Sequence, residues 1–195
     1  MMDSRKNMLR TLALVCAAAC LTSCVAPDRT HRIVISVTEQ KMVVFEKETP
    51  VAEYPVSTSR FCLSDAPGSK GTPLGTLEIA KKIGGGVPLG MKFKDRKPTG
   101  EIVPVDAPGR DPIVTRILWL RGLEPQNAHA YSRYIYIHGT AEESKIGTPA
   151  SFGCVRMRSA DVARLYDLVG IGARVEIRAE PLEKPAPSAS APPQS

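Results

Sequence analysis

Short runs in which apolar β-branched residues alternate with polar ones, each ended by a turn, constrain this chain more than any other feature. From Arg32 to Val37, residues Ile33, Ile35 and Val37 fall on one face. Met42 to Glu46 and Val51 to Thr58 follow after short polar breaks and read as a meander. Further strands are predicted at Thr76 to Lys81, Ile113 to Leu120, Tyr134 to His138 and Arg174 to Ile177, all rich in Val, Ile, Tyr and Thr. One segment changes period. Val162, Leu165, Tyr166 and Val169 recur at helical spacing, with Ser159 predicted as the cap, Asp161 in the first turn and Gly170 at the end. The pattern predicts one mostly-β domain with one packed α-helix over residues 31–180.

The ends read differently. Arg5, Lys6 and Arg10 precede an apolar stretch from Thr11 to Leu21, about half of what a bilayer-crossing helix needs. Leu21-Thr22-Ser23-Cys24 then resembles a bacterial lipobox, so residues 1–23 are expected to be a lipoprotein signal peptide. Cys24 would be the lipid-bearing first residue of the mature chain, which would sit on a membrane without spanning it. Val25 follows the cysteine where an aspartate signals inner-membrane retention, giving an envelope address that faces the periplasm from the outer membrane. Residues 24–30 make a short linker, and 181–195, dense in Pro, Ala and Ser, read as a disordered tail.

Of 26 basic and 20 acidic residues, three and one lie in 1–23, which leaves the mature chain at +4. No Lys/Arg cluster interleaved with aromatics points to nucleic acid. Past Cys24 the only thiols are Cys62 and Cys154, free or joined to each other, and neither C-x-x-C nor H-x-x-x-H spacing supports a metal.

The chemistry concentrates in residues 134–157. The strand pattern from Tyr134 delivers His138 to a predicted strand end, where Gly139 permits a sharp exit, and sixteen residues later Cys154 follows Gly153. A thiol near its ordinary pKa of about 8.5 is only a few per cent thiolate at neutral pH, so a nucleophilic cysteine needs a base or positive charge beside it. His138 is the candidate base. Backbone N–H groups around Phe152, Gly153 and Cys154 are candidate donors to an oxyanion, and Ser151 a brace for that loop. Arg156 has two uses open to it, pairing with a substrate carboxylate or forming a structural salt bridge. The glycine- and proline-dense stretches Gly68 to Gly75 and Gly84 to Gly90 read as tight loops beside the sheet, the first a candidate wall for a groove.

His138-Gly139-Thr140, with Ile146 to Met157 (Ile-Gly-Thr-Pro-Ala-Ser-Phe-Gly-Cys-Val-Arg-Met), closely resembles the active-site signature of the YkuD-like L,D-transpeptidases. Val56 to Ser59, the two glycine-rich loops and Arg116 to Leu120 share in the resemblance, which covers residues 31–178. It implies a β-sandwich-like catalytic domain that acts on peptidoglycan stem peptides by cysteine acyl transfer, with no metal or organic cofactor. Cys154 would be the nucleophile, His138 the base, the Gly139 carbonyl the group that orients the imidazole, and Thr140 and Arg156 substrate contacts. The family's usual Ser/Thr-His-Gly-Cys motif has Phe152 in the histidine's place here, so that position supplies backbone and wall. The acceptor stays open: a stem amine would cross-link, a protein lysine would attach that protein to the wall, and water would make a carboxypeptidase or hydrolase. A noncatalytic peptidoglycan-binding lipoprotein is the reading from another class.

Overall fold

The computed structural model describes residues 26–109 and 111–182. The expected signal peptide, Cys24 and residues 183–195 of the expected tail lie outside them. The strands are β1 (His31–Ser36), β2 (Lys41–Glu46), β3 (Thr49–Pro55), β4 (Gly75–Ile83), β5 (Met91–Lys94), β6 (Lys97–Ile102), β7 (Ile113–Gly122), β8 (Tyr136–Thr140), β9 (Val155–Met157) and β10 (Arg174–Arg178). Among the described residues one α-helix, α1 (Ser159–Leu168), lies between β9 and β10. Among the described residues no helix is long and apolar enough to cross a membrane.

All ten strands join one sheet. Its order runs β3-β2-β1-β10-β4-β7; β8 takes the other edge of β7, and β9 pairs with β8. The β5–β6 hairpin attaches to β7, where Lys92 meets Val114. Most neighbours are antiparallel; β1–β10 and β8–β9 are parallel. The sheet curls until the segment leaving β3 meets β9: Ser57 and Arg156 exchange both backbone hydrogen bonds, at 2.9 and 2.8 Å. Inside the curl lie Ile33, Ile35, Met42, Leu77, Ile79, Leu118, Leu120, Ile137, Met157, Val175 and Ile177, the inward faces of alternating strands. Val162 and Leu165 of α1 join this core. The predicted mostly-β architecture with one packed helix is what the chain adopts.

Several details differ from expectation. Residues 91–102 form a hairpin that alternation does not signal, because every residue of β6 is exposed. Its turn, Asp95-Arg96, has φ of 50° and 66° at both positions, the left-handed geometry of a two-residue hairpin turn without the usual glycine. Tyr134 does not start a strand; with φ of 60° it closes a turn back to Tyr131, and β8 begins at Tyr136. His138 therefore sits mid-strand, and Gly139 continues pairing instead of exiting. Ser159 is not the cap but the first helical residue; Arg158 at the cap position makes no side-chain cap bond, and the Ser159 N–H donates to Glu143 Oε1 at 2.7 Å. A carboxylate thus serves the positive end of α1 from a distant loop. The residues before β1 are also pinned. Asp28 accepts from the Gly170 and His31 N–H groups and from His31 Nδ1, at 2.7, 3.1 and 2.8 Å.

In β7 the register against β8 slips between Val114 and Ile117, so that Thr115 and Arg116 bulge out. Thr115 carries φ of 71°, a strained value for a β-branched residue. Its hydroxyl accepts from the Gly90 N–H (2.9 Å) and donates to Ser159 Oγ (2.8 Å), which ties the bulge to the glycine-rich loop and to α1. This irregularity faces the strand that carries the histidine.

Candidate active site

Strand parity brings the two predicted reactive side chains together. In the parallel β8–β9 pair, Ile137 faces Val155, His138 faces Arg156 and Gly139 faces Met157. Ile137, Val155 and Met157 belong to the buried core, so the intervening positions, His138 and Arg156, point to the other side of the sheet. Cys154, two residues before Arg156, shares that side and lies diagonally from His138. Both line one cleft of about 630 Å³, with Arg60, Asp111, Glu142 and Phe152 among its walls. Ser151 and Arg156 also line it; Thr140 does not.

His138 is buried, and its Nδ1 lies 2.8 Å from the Gly139 carbonyl. A carbonyl only accepts, so Nδ1 carries the hydrogen, and Nε2 is left with a lone pair. Burial pulls the imidazole pKa down to about 4, against the opposing pull of the Gly139 carbonyl and the Asp111 charge; the Arg156 charge adds to the lowering. Cys154 is half-buried, and burial pushes its thiol up to about 11, opposed by the Tyr136 N–H and the charges of Arg156 and Arg133. The thiol donates to the Tyr134 carbonyl at 3.4 Å, not to the imidazole. At neutral pH both groups are therefore uncharged at rest.

The segment before Cys154 is held tightly. Ser151 is fully buried; its Oγ donates to the Cys154 carbonyl (2.6 Å) and accepts from the Gly153 N–H (3.2 Å). Gly153 has φ of 121°, and a Cβ there would lie 2.9 Å from the Gly71 carbonyl, so glycine is required on two counts. Thr72 of the first glycine-rich loop donates to the Gly153 carbonyl at 3.0 Å. That loop is clamped by Arg133, whose Nη1 meets Asp65 Oδ1 at 2.8 Å and whose Nη2 meets the Gly71 carbonyl at 2.9 Å. The loop thus supports the segment that carries Cys154. Nothing in local pattern marks Arg133 or Asp65, since their partners lie more than sixty residues away.

Arg156 forms a salt bridge with each of two carboxylates: Nε to Asp111 Oδ2 at 3.2 Å and Nη1 to Glu142 Oε2 at 2.9 Å. The Asp111 and Arg156 side chains are only 6% and 9% exposed. Asp111 Oδ1 also accepts from Thr140 Oγ1 (2.8 Å) and the Ala141 N–H (3.0 Å). Thr140 and Arg156 are in this way tied to one aspartate that sequence reasoning missed; a lone Asp before a proline in a loop carries no signal of such a role. Phe152 is 52% exposed and stands against Phe61, ring centroids 5.2 Å apart. Cys62 and Cys154 are both free thiols. Among the described residues no group of three or more His, Cys, Asp or Glu is placed to hold a metal ion.

The buried titratable groups set a stability window. The unfolded imidazole of His138 takes a proton below its ordinary 6.5 and the folded one only below about 4. Between these values the unfolded chain binds more protons, so stability falls as pH drops through that interval, by roughly 3 kcal/mol at most. Asp28 extends the loss. Burial would raise its pKa, but hydrogen bonds led by Gly170 and His31 bring it from 3.8 to about 2. At the alkaline end Cys154 ionises from 9 upward when unfolded and only near 11 when folded, and stability declines again. Urea midpoints should therefore be flat from pH 7 to 9 and fall on both sides. A midpoint unchanged between pH 7 and 4.5 would contradict the neutral, buried imidazole.

The chain is similar to known proteins in sequence and in fold. Residues 30–177 match the model of the YkuD family, described as the L,D-transpeptidase catalytic domain. The probable L,D-transpeptidase YbiS of Escherichia coli is 28% identical over 167 residues, 82% of this chain and 48% of the relative. The probable L,D-transpeptidase ErfK/SrfK of Escherichia coli is 41% identical over 51 residues, 26% of this chain and 16% of the relative. The chain thus spans about half the length of the first of these curated relatives, and less of the second. Among solved structures, L,D-transpeptidase 3 from Mycobacterium tuberculosis, bearing a faropenem-derived adduct, superposes with a TM-score of 0.51 at 17% identity, over 76% of this chain and 60% of that one. An L,D-transpeptidase from Xylanimonas cellulosilytica gives 0.50 at 20% identity, over 87% and 69%. These two likenesses show the fold. With the family match running across nearly all the described residues, the chain belongs to the YkuD L,D-transpeptidase catalytic domain family.

Proposed function

We propose that the protein is a cysteine-dependent L,D-transpeptidase that acts on peptidoglycan tetrapeptide stems through a thioester on Cys154. The observation that carries this reading is the placement of Cys154 and His138 on one side of β8–β9, in one cleft, with Nε2 free of the bond that holds Nδ1. The thiol leaves the Tyr134 carbonyl when a stem enters, and Nε2 takes its proton. The sulfur attacks the carbonyl of the third stem residue, and the terminal D-alanine departs with a proton from the imidazolium. The Gly139 carbonyl keeps the ring oriented, and Asp111 stabilises the transient positive charge. The Gly153 N–H already serves Ser151, so we assign the N–H groups of Phe152 and Cys154 as the donors to the tetrahedral oxygen. We assign Arg156 to holding Asp111 and Glu142 beside the imidazole, and Ser151 to bracing the loop.

An acceptor amine from a neighbouring stem or from a protein lysine then takes the acyl group; water would give the carboxypeptidase or hydrolase. The resting thiol, hydrogen-bonded to Tyr134 with a pKa near 11, is the observation that favours a noncatalytic peptidoglycan binder instead. A labelled tetrapeptide separates the two. Intact-mass analysis under reducing conditions should show a thioester on Cys154; a folded protein that binds the peptide without the adduct would be the binder. Membrane attachment through Cys24 belongs to the same proposal. Cys24→Ala should move the protein from the membrane fraction to the soluble one, and retention in the membrane fraction would remove the lipid anchor from the reading.

A further inference from the structure

The cleft holds cations whose carboxylate partners are already supplied. Arg156 is bridged to Asp111 and Glu142, and Lys145 meets Glu142 at 2.5 Å. Arg60 is different. It lines the same cleft as Cys154 and His138, and among the described residues no carboxylate pairs with it. Its guanidinium carbon instead lies 4.6 Å from the centroid of Phe152 and 5.0 Å from that of Phe61. Lys70 adds a second positive charge 5.4 and 5.7 Å from the same rings. Two adjacent aromatic rings, 47% and 52% exposed, are an unusual surface to leave in water beside a reactive thiol.

The arrangement is anchored from beneath. The Arg60 N–H donates to the Ser151 carbonyl (3.2 Å), the Phe61 N–H to Ser59 Oγ (3.0 Å), and Ser59 bridges Ser151. The platform is thus fixed to the segment that carries the nucleophile. A guanidinium over ring faces keeps its N–H groups in its own plane, available as a fork to a carboxylate, and ordering the side chain beforehand reduces what binding must immobilise.

We propose that Arg60, laid on Phe61 and Phe152, receives the terminal carboxylate of the donor peptide, so that the site selects stems with a free carboxyl end. The proposal rests on the acyl-transfer reading above. In that reaction the sulfur–carbon bond forms, the carbon–nitrogen bond breaks, and the departing amino acid takes a proton from His138 and carries the carboxylate away from Arg60. The carboxylate at Arg60 strengthens binding of the donor, and release of the leaving group clears the platform for the acceptor.

The test compares a tetrapeptide free acid with its C-terminal amide. Calorimetric binding is measured on Cys154→Ser and on the same variant also bearing Arg60→Met, and thioester formation on the wild type. The acid should bind Cys154→Ser roughly tenfold more tightly than the amide. Arg60→Met should erase that preference, Arg60→Lys should keep part of it because charge remains without the fork, and Phe152→Ala should weaken it. In turnover the Arg60→Met defect should appear in KM with kcat little changed. Equal binding of acid and amide, or a preference that survives Arg60→Met, would overturn the proposal. Thioester formation is the separate readout: an acid preference at Arg60 without any adduct would support the carboxylate site while removing the enzyme reading.

Discussion

Cys154→Ser should unfold at the same urea concentration as the wild type and should form no thioester and release no D-alanine. The side chain packs at the edge of a small cluster of Phe93, Ile117, Trp119 and Tyr136. A serine hydroxyl fits that space and can donate to the same Tyr134 carbonyl, so the fold has little reason to notice. The chemistry has every reason. Even the thiol, at about 11, needs the imidazole to remove its proton, and a hydroxyl is a far weaker acid. A loss of at least about a thousandfold in kcat is expected, the scale on which removal of a nucleophile acts. Cys62→Ser is the control. That thiol is exposed, with a 3.6 Å contact to the Ser69 carbonyl, and its loss should change stability by less than about 0.5 kcal/mol. A folded but inactive Cys62→Ser protein would move the nucleophile elsewhere.

The second large effect is expected at Gly139. A Cβ there would stand 2.6 Å from the Val114 carbonyl oxygen, 3.1 Å from Thr115 Cβ and 3.2 Å from Val162 Cγ1. The nearest of these is backbone, and the next belongs to a residue fixed on both sides by its hydroxyl, so β8 itself must move. Gly139→Ala should cost about 2 to 3 kcal/mol in unfolding free energy, as overpacking typically does. The displaced strand carries His138, and the carbonyl that orients the imidazole is that of residue 139. A misplacement of about 1 Å can cost about a hundredfold in rate, so kcat should fall by that factor even at temperatures where the variant remains folded. Wild-type stability together with wild-type turnover would show that the close approach to the bulge is not what places the histidine.

Residues whose role is set by period were readable from the sequence. Ile33, Ile35 and Val175 declare their inward face through alternation, and Val162 and Leu165 declare theirs through helical spacing. The candidate pair was legible through its motif, and the sheet explains why the spacing works: residues 138 and 154 fall on the same side because the register sets His138 opposite Arg156, two residues from Cys154. Residues whose role depends on a distant partner were not readable. Asp111 matters because Arg156, Thr140 and His138 surround it, Arg133 because the 64–71 loop folds onto it, and Glu143 because α1 starts beside it. Arg60 and Phe61 look like ordinary loop residues until Phe152 arrives against them. The β5–β6 hairpin escaped notice for the opposite reason: an exposed strand has no face to bury, so its sequence carries no alternation.

The ladder rungs between Ser57 and Arg156 join positions almost a hundred residues apart, and the pocket walls lie on either side of that seam. Neither part of the polypeptide possesses half a workshop: Thr72 and Arg60 come from one margin, and Ser151 and the sulfur from the other. A nascent or partly melted molecule would therefore carry an ordinary thiol with no tool around it, and competence would arrive all at once when the two margins of the sheet lock.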